Sequence, residues 1–192
     1  MEARYSSLSD RTRARLIAAA GILIILLSAG SALLPFAERV SGSRILGSLL
    51  VLAGVIEMLA GTLRRLVRIE AMTAGAVTLF AGLLFILNPT LHLIPTVYVI
   101  SGWLVLRSFI LIVASTSAGG SVRIWPSLSA AMNLILAVVL LLGLQIATFV
   151  IALFGPTAPL IASFAWVLAL SFVVTGTLML EVASCEREST EQ

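Results

Sequence analysis

Six apolar segments, each about as long as a helix needs to cross a bilayer, dominate this sequence. They cover residues 16–34, 45–63, 71–87, 93–115, 127–148 and 158–180, and a spanning helix needs roughly 20 apolar residues. Backbone groups find no water in hydrocarbon, and the alternation of a β-barrel is absent, so each segment is predicted to be a helix. Only 11% of the residues are charged, against about 25% in soluble domains. We therefore expect an all-α integral membrane protein with the lipid bilayer as its main partner.

The first apolar segment raises a separate question, because four arginines precede it and small residues follow it, as in a secretory signal. The segment is either a cleaved export signal or a retained first span, and a repeat inside the chain decides between these two interpretations. When the sequence is shifted by about 54 positions, roughly 46 residues align without a gap. Gly21, Ser28 and Pro35 align with Gly75, Gly82 and Pro89, and Gly47, Gly54 and Gly61 align with Ser101, Ser108 and Ser115. A cleaved signal has no reason to recur within the chain, so the first segment is predicted to be retained.

A third copy of this two-helix unit is weaker. Trp103 and Ser108 match Trp166 and Ser171, but at an offset of 63 residues, about nine more than the offset between the first two copies. The division between the fifth and sixth segments rests on the helix breakers Gly155, Pro156 and Pro159. We predict three hairpins, at about 16–63, 71–117 and 127–182, in one domain of residues 16–182. Because each copy has two spans, the copies share one orientation, and a pseudo-threefold bundle is expected.

The small residues recur every seven positions, which is nearly two helical turns, so each series lies along one stripe of its helix. Such stripes let helix backbones approach closely in lipid. The predicted packing stripe comprises Gly21, Ser28, Gly47, Gly54, Gly61, Gly75, Gly82, Ser101, Ser108 and Ser115. Packing is favoured over a pore lining or a ligand groove. Pro35 and Pro89 are predicted to end their helices in hairpin turns rather than to act as gating hinges.

The arginines predict an orientation. Arg4, Arg11, Arg13, Arg15, Arg64, Arg65, Arg68, Arg123 and Arg187 fall on one side of the predicted topology, whereas the other side holds only Arg39 and Arg44. By the positive-inside rule the first side is cytoplasmic. Six spans then put the N-terminal segment, residues 1–15, and the polar tail, residues 183–192, in the cytoplasm.

Two charged residues lie inside predicted spans: Glu57 in the second and Arg107 in the fourth. A central charge costs about 2.5–3.5 kcal/mol on insertion scales. Glu57 shares the glycine stripe, and the repeat places the two residues about 6 Å apart in depth on similar helix faces. We predict an intramembrane ion pair. Either the pair is structural and stabilises the packing of the helices, or Glu57 takes part in proton sensing or relay. Alternatively, the two residues do not pair: Arg107 extends to the membrane interface, or either residue contacts a partner subunit.

The residue inventory argues against an enzyme. There is no lysine, and the chain has one histidine, His92, and one cysteine, Cys185. No nucleophile–base pair, metal-ligand cluster or phosphate-binding loop is visible, so we predict no catalytic residues, no cofactor and no metal site. The arginines cluster beside apolar segments rather than on one polar face, so no nucleic-acid partner is expected.

The helix that ends in ALLPF, the following ILGSLLVLAGVIEMLAG and its repeat GAVTLFAGLLFILNP together resemble the HdeD-like family of small bacterial inner-membrane proteins. The resemblance covers about residues 15–183. It implies six spans in three hairpins, a bacterial cytoplasmic membrane and a link to acid resistance, and it supplies no catalytic residues. The weak third repeat is a departure from that pattern.

Three non-enzymatic functions follow as expectations. The first is an HdeD-like membrane protein related to acid or envelope stress, and this is the function we predict. The second is an accessory subunit that packs against a larger membrane transport or secretion complex, or against further copies of itself. The third is a small transporter or channel, which the low number of polar groups in the spans disfavours.

Overall fold

The computed structural model describes residues 10–33, 42–64, 67–91, 95–117, 123–142 and 159–188. These residues form six helices: α1 (Asp10–Leu33), α2 (Gly42–Leu63), α3 (Arg68–Leu91), α4 (Thr96–Ser117), α5 (Ile124–Leu141) and α6 (Pro159–Glu188). All six are long and apolar enough to cross a membrane. The prediction of an all-helical chain with six membrane-length helices is therefore confirmed.

Most helices extend beyond their apolar segments. α1 begins at Asp10, six residues before the predicted span, and its first turns bury Ala14 and Ile17 while Arg11 and Arg15 remain exposed. α3 ends at Leu91, so Pro89 lies in the last turn of this helix and not in the connection that follows. A proline at this position has no backbone N–H to donate to the carbonyl oxygen four residues before it, so it weakens the helix where the helix ends. Pro35 lies outside the described residues, as do residues 143–148 of the fifth predicted span.

The most extensive interfaces join α2 with α3, α1 with α6, and α4 with α5. The two helices of each predicted hairpin (α1 with α2, α3 with α4, α5 with α6) share smaller interfaces. One large hydrophobic cluster draws residues from all six helices, among them Ile24, Leu50, Phe85, Leu104 and Phe172. The helices therefore surround a common core, and the tightest packing lies between the predicted hairpins and not within them.

Glycines of both helices lie at the closest contacts between α2 and α3. A Cβ added to Gly75 would lie 2.7 Å from the backbone nitrogen of Met58, and one added to Gly82 would lie 2.6 Å from that of Val51. Gly54 and Gly47, on the facing helix, approach the carbonyl oxygens of Gly75 and Gly82. The order of these contacts shows that α2 and α3 are antiparallel. Backbones this close leave no room for side chains, which explains the small residues at these positions.

The outer surface of the bundle is apolar. Leu26, Leu59, Phe80 and Phe109 are each more than 60% exposed, and they lie on four different helices. Single exposed leucines are ordinary on a soluble protein, but large apolar side chains exposed on every helix are not. With the length of the helices, this surface indicates a lipid environment.

Candidate functional site: a buried polar cluster inside the bundle

The two charged residues of the spans meet in the core. Glu57 on α2 is 3% exposed, and Arg107 on α4 is 2% exposed. Nη1 of Arg107 donates to Oε2 of Glu57 at 2.7 Å, while Nη2 donates to Oε1. In this bidentate geometry, the two terminal nitrogens of the guanidinium each bind one carboxylate oxygen. Bidentate pairs are among the strongest arrangements between an arginine and a carboxylate.

Two threonines complete the surroundings of the guanidinium. Nη1 of Arg107 also donates to the hydroxyl of Thr78 on α3, at 2.5 Å, and Nη2 donates to the hydroxyl of Thr175 on α6, at 2.8 Å. Four of the five N–H groups of Arg107 thus have partners. Since a buried charge is tolerable only when it is both paired and hydrogen-bonded, the two threonines are part of what makes the ion pair possible.

Trp103 covers the ion pair on one side. Its ring lies one turn before Arg107 on α4, with the ring centroid 5.9 Å from the Arg107 guanidinium carbon, a cation–π distance. Its indole Nε1–H donates to the hydroxyl of Thr78 at 3.2 Å. Glu57, Thr78, Trp103, Arg107 and Thr175 are called the buried polar cluster below. It connects α2, α3, α4 and α6.

A second group of hydrogen bonds extends the cluster to α5. The hydroxyl of Thr175 donates to the carbonyl oxygen of Ser171 at 2.8 Å. The hydroxyl of Ser171 donates to Oδ1 of Asn133 at 2.7 Å, and Nδ2 of Asn133 donates to the carbonyl oxygen of Ser129 at 2.9 Å. Asn133 is 1% exposed. A continuous set of polar contacts therefore reaches five of the six helices.

The structure places the residues of the predicted packing stripe at helix interfaces, and these residues are divided among several helix pairs. The glycines of α2 and α3 face one another, as described above. Gly21 on α1 faces Gly176 on α6, a residue that the spacing argument missed, and Ser28 donates to the carbonyl oxygen of Ala169 on α6 at 2.9 Å. On α4, Ser108 donates to the carbonyl oxygen of Ala130 on α5 at 2.8 Å. Ser101 and Ser115 are also buried, and the Ser115 hydroxyl donates within its own helix.

The residues around the ion pair were not found from the sequence. The sequence does contain a signal for Asn133, because it is the one residue with an amide side chain between Ser127, where the fifth apolar segment begins, and Leu141. The sequence contains no such signal for Thr78 and Thr175. A threonine hydroxyl in a helix can donate to the carbonyl oxygen four residues before it, and both hydroxyls do so here. Only the rotation of α3 and α6 turns these hydroxyls toward Arg107.

The chemistry of the cluster is that of a neutral, enclosed ion pair. Within the described ranges, no three His, Cys, Asp or Glu side chains come together as metal ligands would. The arrangement can hold four helices together through contacts between buried side chains. Comparison with known proteins adds no relative: no family model matches the chain, and no curated protein and no solved structure matches it significantly.

Proposed function

We propose that this chain is a non-enzymatic, multi-pass protein of the bacterial cytoplasmic membrane that acts in resistance to acid or envelope stress, as the resemblance to the HdeD-like family implies. In this proposal the six-helix bundle is the functional unit, and the buried polar cluster makes its packing depend on the protonation of Glu57. The single observation that carries the proposal is the fully buried contact between Glu57 and Arg107.

The supporting argument is electrostatic. A proton on Glu57 removes the negative charge and leaves Arg107 buried without a counter-charge. Breaking a buried ion pair on one side typically costs about 3–5 kcal/mol, which is a large part of the stability of an ordinary domain. Among the described residues, Arg107 on α4 is the charged group that contacts Glu57, whereas α3 and α6 bring the neutral hydroxyls of Thr78 and Thr175. A change at one carboxyl would therefore act on four helices.

A complementation experiment tests the proposal. A strain that lacks the gene is challenged at low pH, and it carries a plasmid with the wild-type chain, Glu57→Gln or Glu70→Gln. Glu70 is the matched control, because it lies in the first turn of α3, outside the buried polar cluster. We expect the deletion to lower survival, and the wild type and Glu70→Gln to restore it. Glu57→Gln should fail even when its amount in the membrane equals that of the wild type. Equal survival of the deletion strain and its parent would contradict the proposed role.

The finer architecture is part of the same proposal. The three hairpins are arranged around a pseudo-threefold axis, with both termini in the cytoplasm. Large interfaces between hairpins alternate with smaller interfaces within hairpins all the way around the bundle, and this alternation supports the threefold arrangement. The distribution of the arginines between the two ends supports the orientation.

A further inference from the structure

A shallow groove lies at the first turn of α5. Its volume is about 450 Å³, and it is lined by Arg123, Ile124, Ser127 and Leu128. α5 has 18 residues, which correspond to about 27 Å at the rise of an α-helix, and this is close to the roughly 30 Å of a hydrocarbon core. Arg123 directly precedes the helix. The groove therefore lies where the hydrocarbon of the bilayer meets the headgroups.

The groove has a polar stripe and an apolar stripe. Arg123 and Ser127 are four residues apart and share one side, and Ile124 and Leu128 are four residues apart and share the next. Ile124 is 65% exposed and Leu128 is 55% exposed, so both offer free apolar surface. A cation beside an apolar wall at the membrane boundary complements a phospholipid, whose phosphate and acyl chain lie side by side in the same way.

The charge of Arg123 is available to a ligand. Arg123 is exposed, and no carboxylate among the residues that the structure describes forms an ion pair with its guanidinium. The hydroxyl of Ser127 donates to the carbonyl oxygen of Arg123 at 3.0 Å. The guanidinium is thus the main hydrogen-bond donor of the groove, and its planar fork suits phosphate oxygens.

We propose that this groove binds an anionic phospholipid of the surrounding leaflet. The phosphate lies on the guanidinium of Arg123, and one acyl chain follows Ile124 and Leu128 along α5. The proposal is independent of the stress-related function, since it concerns the outer surface of the bundle and not the buried polar cluster.

Native mass spectrometry of the full chain tests the proposal. The protein is released from detergent micelles that contain equal amounts of phosphatidylglycerol and phosphatidylcholine, and the lipids that stay bound are counted. We expect the wild type to retain phosphatidylglycerol in preference, and Arg123→Gln to weaken this retention about fivefold, the factor expected for one arginine near an anionic lipid surface. Arg44→Gln is the matched control, because Arg44 is also exposed near the start of a helix, α2, but lies outside the groove.

Three outcomes would overturn the proposal. Unchanged retention by Arg123→Gln would mean that the groove is not the site. An equal loss in Arg44→Gln would mean that only net charge matters. Displacement of the lipid by millimolar inorganic phosphate would mean that the free ion is the ligand and the apolar wall is irrelevant. Leu128→Ala tests that wall directly, since it leaves the cation intact and should lower retention of the lipid.

Discussion

At the scale of single residues, the protein tolerates a buried glutamate and a buried arginine because each satisfies the other. The carboxylate accepts from both terminal nitrogens of Arg107, and the same nitrogens donate to Thr78 and Thr175. Hydrogen bonds to charged groups contribute about 1.5–3 kcal/mol each, more than neutral ones. The threonines should therefore matter for stability almost as much as the charges do.

Thr175→Val tests the contribution of the threonines. Valine keeps the shape of the side chain and removes the hydroxyl that accepts from Nη2 of Arg107. We expect the free energy of unfolding in bicelles to fall by about 1.5–3 kcal/mol. Thr177→Val is the control, because within the described part of the chain the Thr177 hydroxyl bonds to backbone carbonyls of its own helix, and its loss should stay below about 0.5 kcal/mol. Equal losses in the two variants would show that Thr175 does not support the ion pair.

The sequence was sufficient to predict the contact of Glu57 with Arg107 because charges in apolar spans are rare and costly. The same argument could not find Thr78 or Thr175, whose hydroxyls also bond to their own helices. It could not place Trp103 either, whose indole N–H donates to the hydroxyl of Thr78. These contacts depend on how each helix is rotated about its axis, and spacing in one helix carries no information about its neighbour.

At the scale of the elements, helix pairs are held by backbone approach at small residues. The seven-residue spacing predicted the interface faces of α2 and α3, where glycines of both helices meet. It did not predict that α1 meets α6 through Gly21 and Gly176, because Gly176 is the one glycine of the sixth apolar segment and has no glycine or serine seven residues before or after it. Phe109 and Phe172, which align at the same offset as Trp103 and Trp166, differ in burial, since Phe109 is 64% exposed and Phe172 is 1% exposed.

Gly75→Ala tests the role of backbone approach. The new methyl group would meet the backbone nitrogen of Met58 at 2.7 Å and force α2 and α3 apart. Overpacking of this kind typically costs about 1–3 kcal/mol, so the thermal unfolding midpoint in detergent should fall. Gly102→Ala is the matched control, since a Cβ at Gly102 meets nothing within 4 Å, and alanine favours a helix. A Gly75→Ala protein as stable as Gly102→Ala would contradict close packing at this interface.

At the scale of the whole molecule, six apolar helices enclose one core, present an apolar surface to lipid and place polar contacts near the middle of their lengths. The number of membrane-length helices among the described residues followed from segment length and composition alone. The order of their packing did not, because a repeat shows which helices are equivalent but not which of them touch most closely. In the proposed six-span topology, both ends of the chain lie on one side of the membrane.

Single-cysteine labelling tests this topology. The chain has one cysteine, Cys185, near its C-terminus, and Ser7→Cys in a Cys185→Ser background provides the equivalent probe near the N-terminus. In intact bacterial spheroplasts, we expect a membrane-impermeant maleimide to label neither position. Both should react after permeabilisation. Labelling of one position alone in intact cells would mean an odd number of spans.

The most direct test of the central claim, that one buried ion pair joins the helices of the bundle, is a double-mutant cycle of unfolding free energies. Glu57→Leu, Arg107→Met and the double variant are compared with the wild type in the same bicelles. Each single change should lose about 3–5 kcal/mol, because it leaves the partner charge buried alone. The double variant should lose far less than the sum, since no unpaired charge remains. Losses that simply add would contradict the account, because they would mean that Glu57 and Arg107 do not stabilise each other.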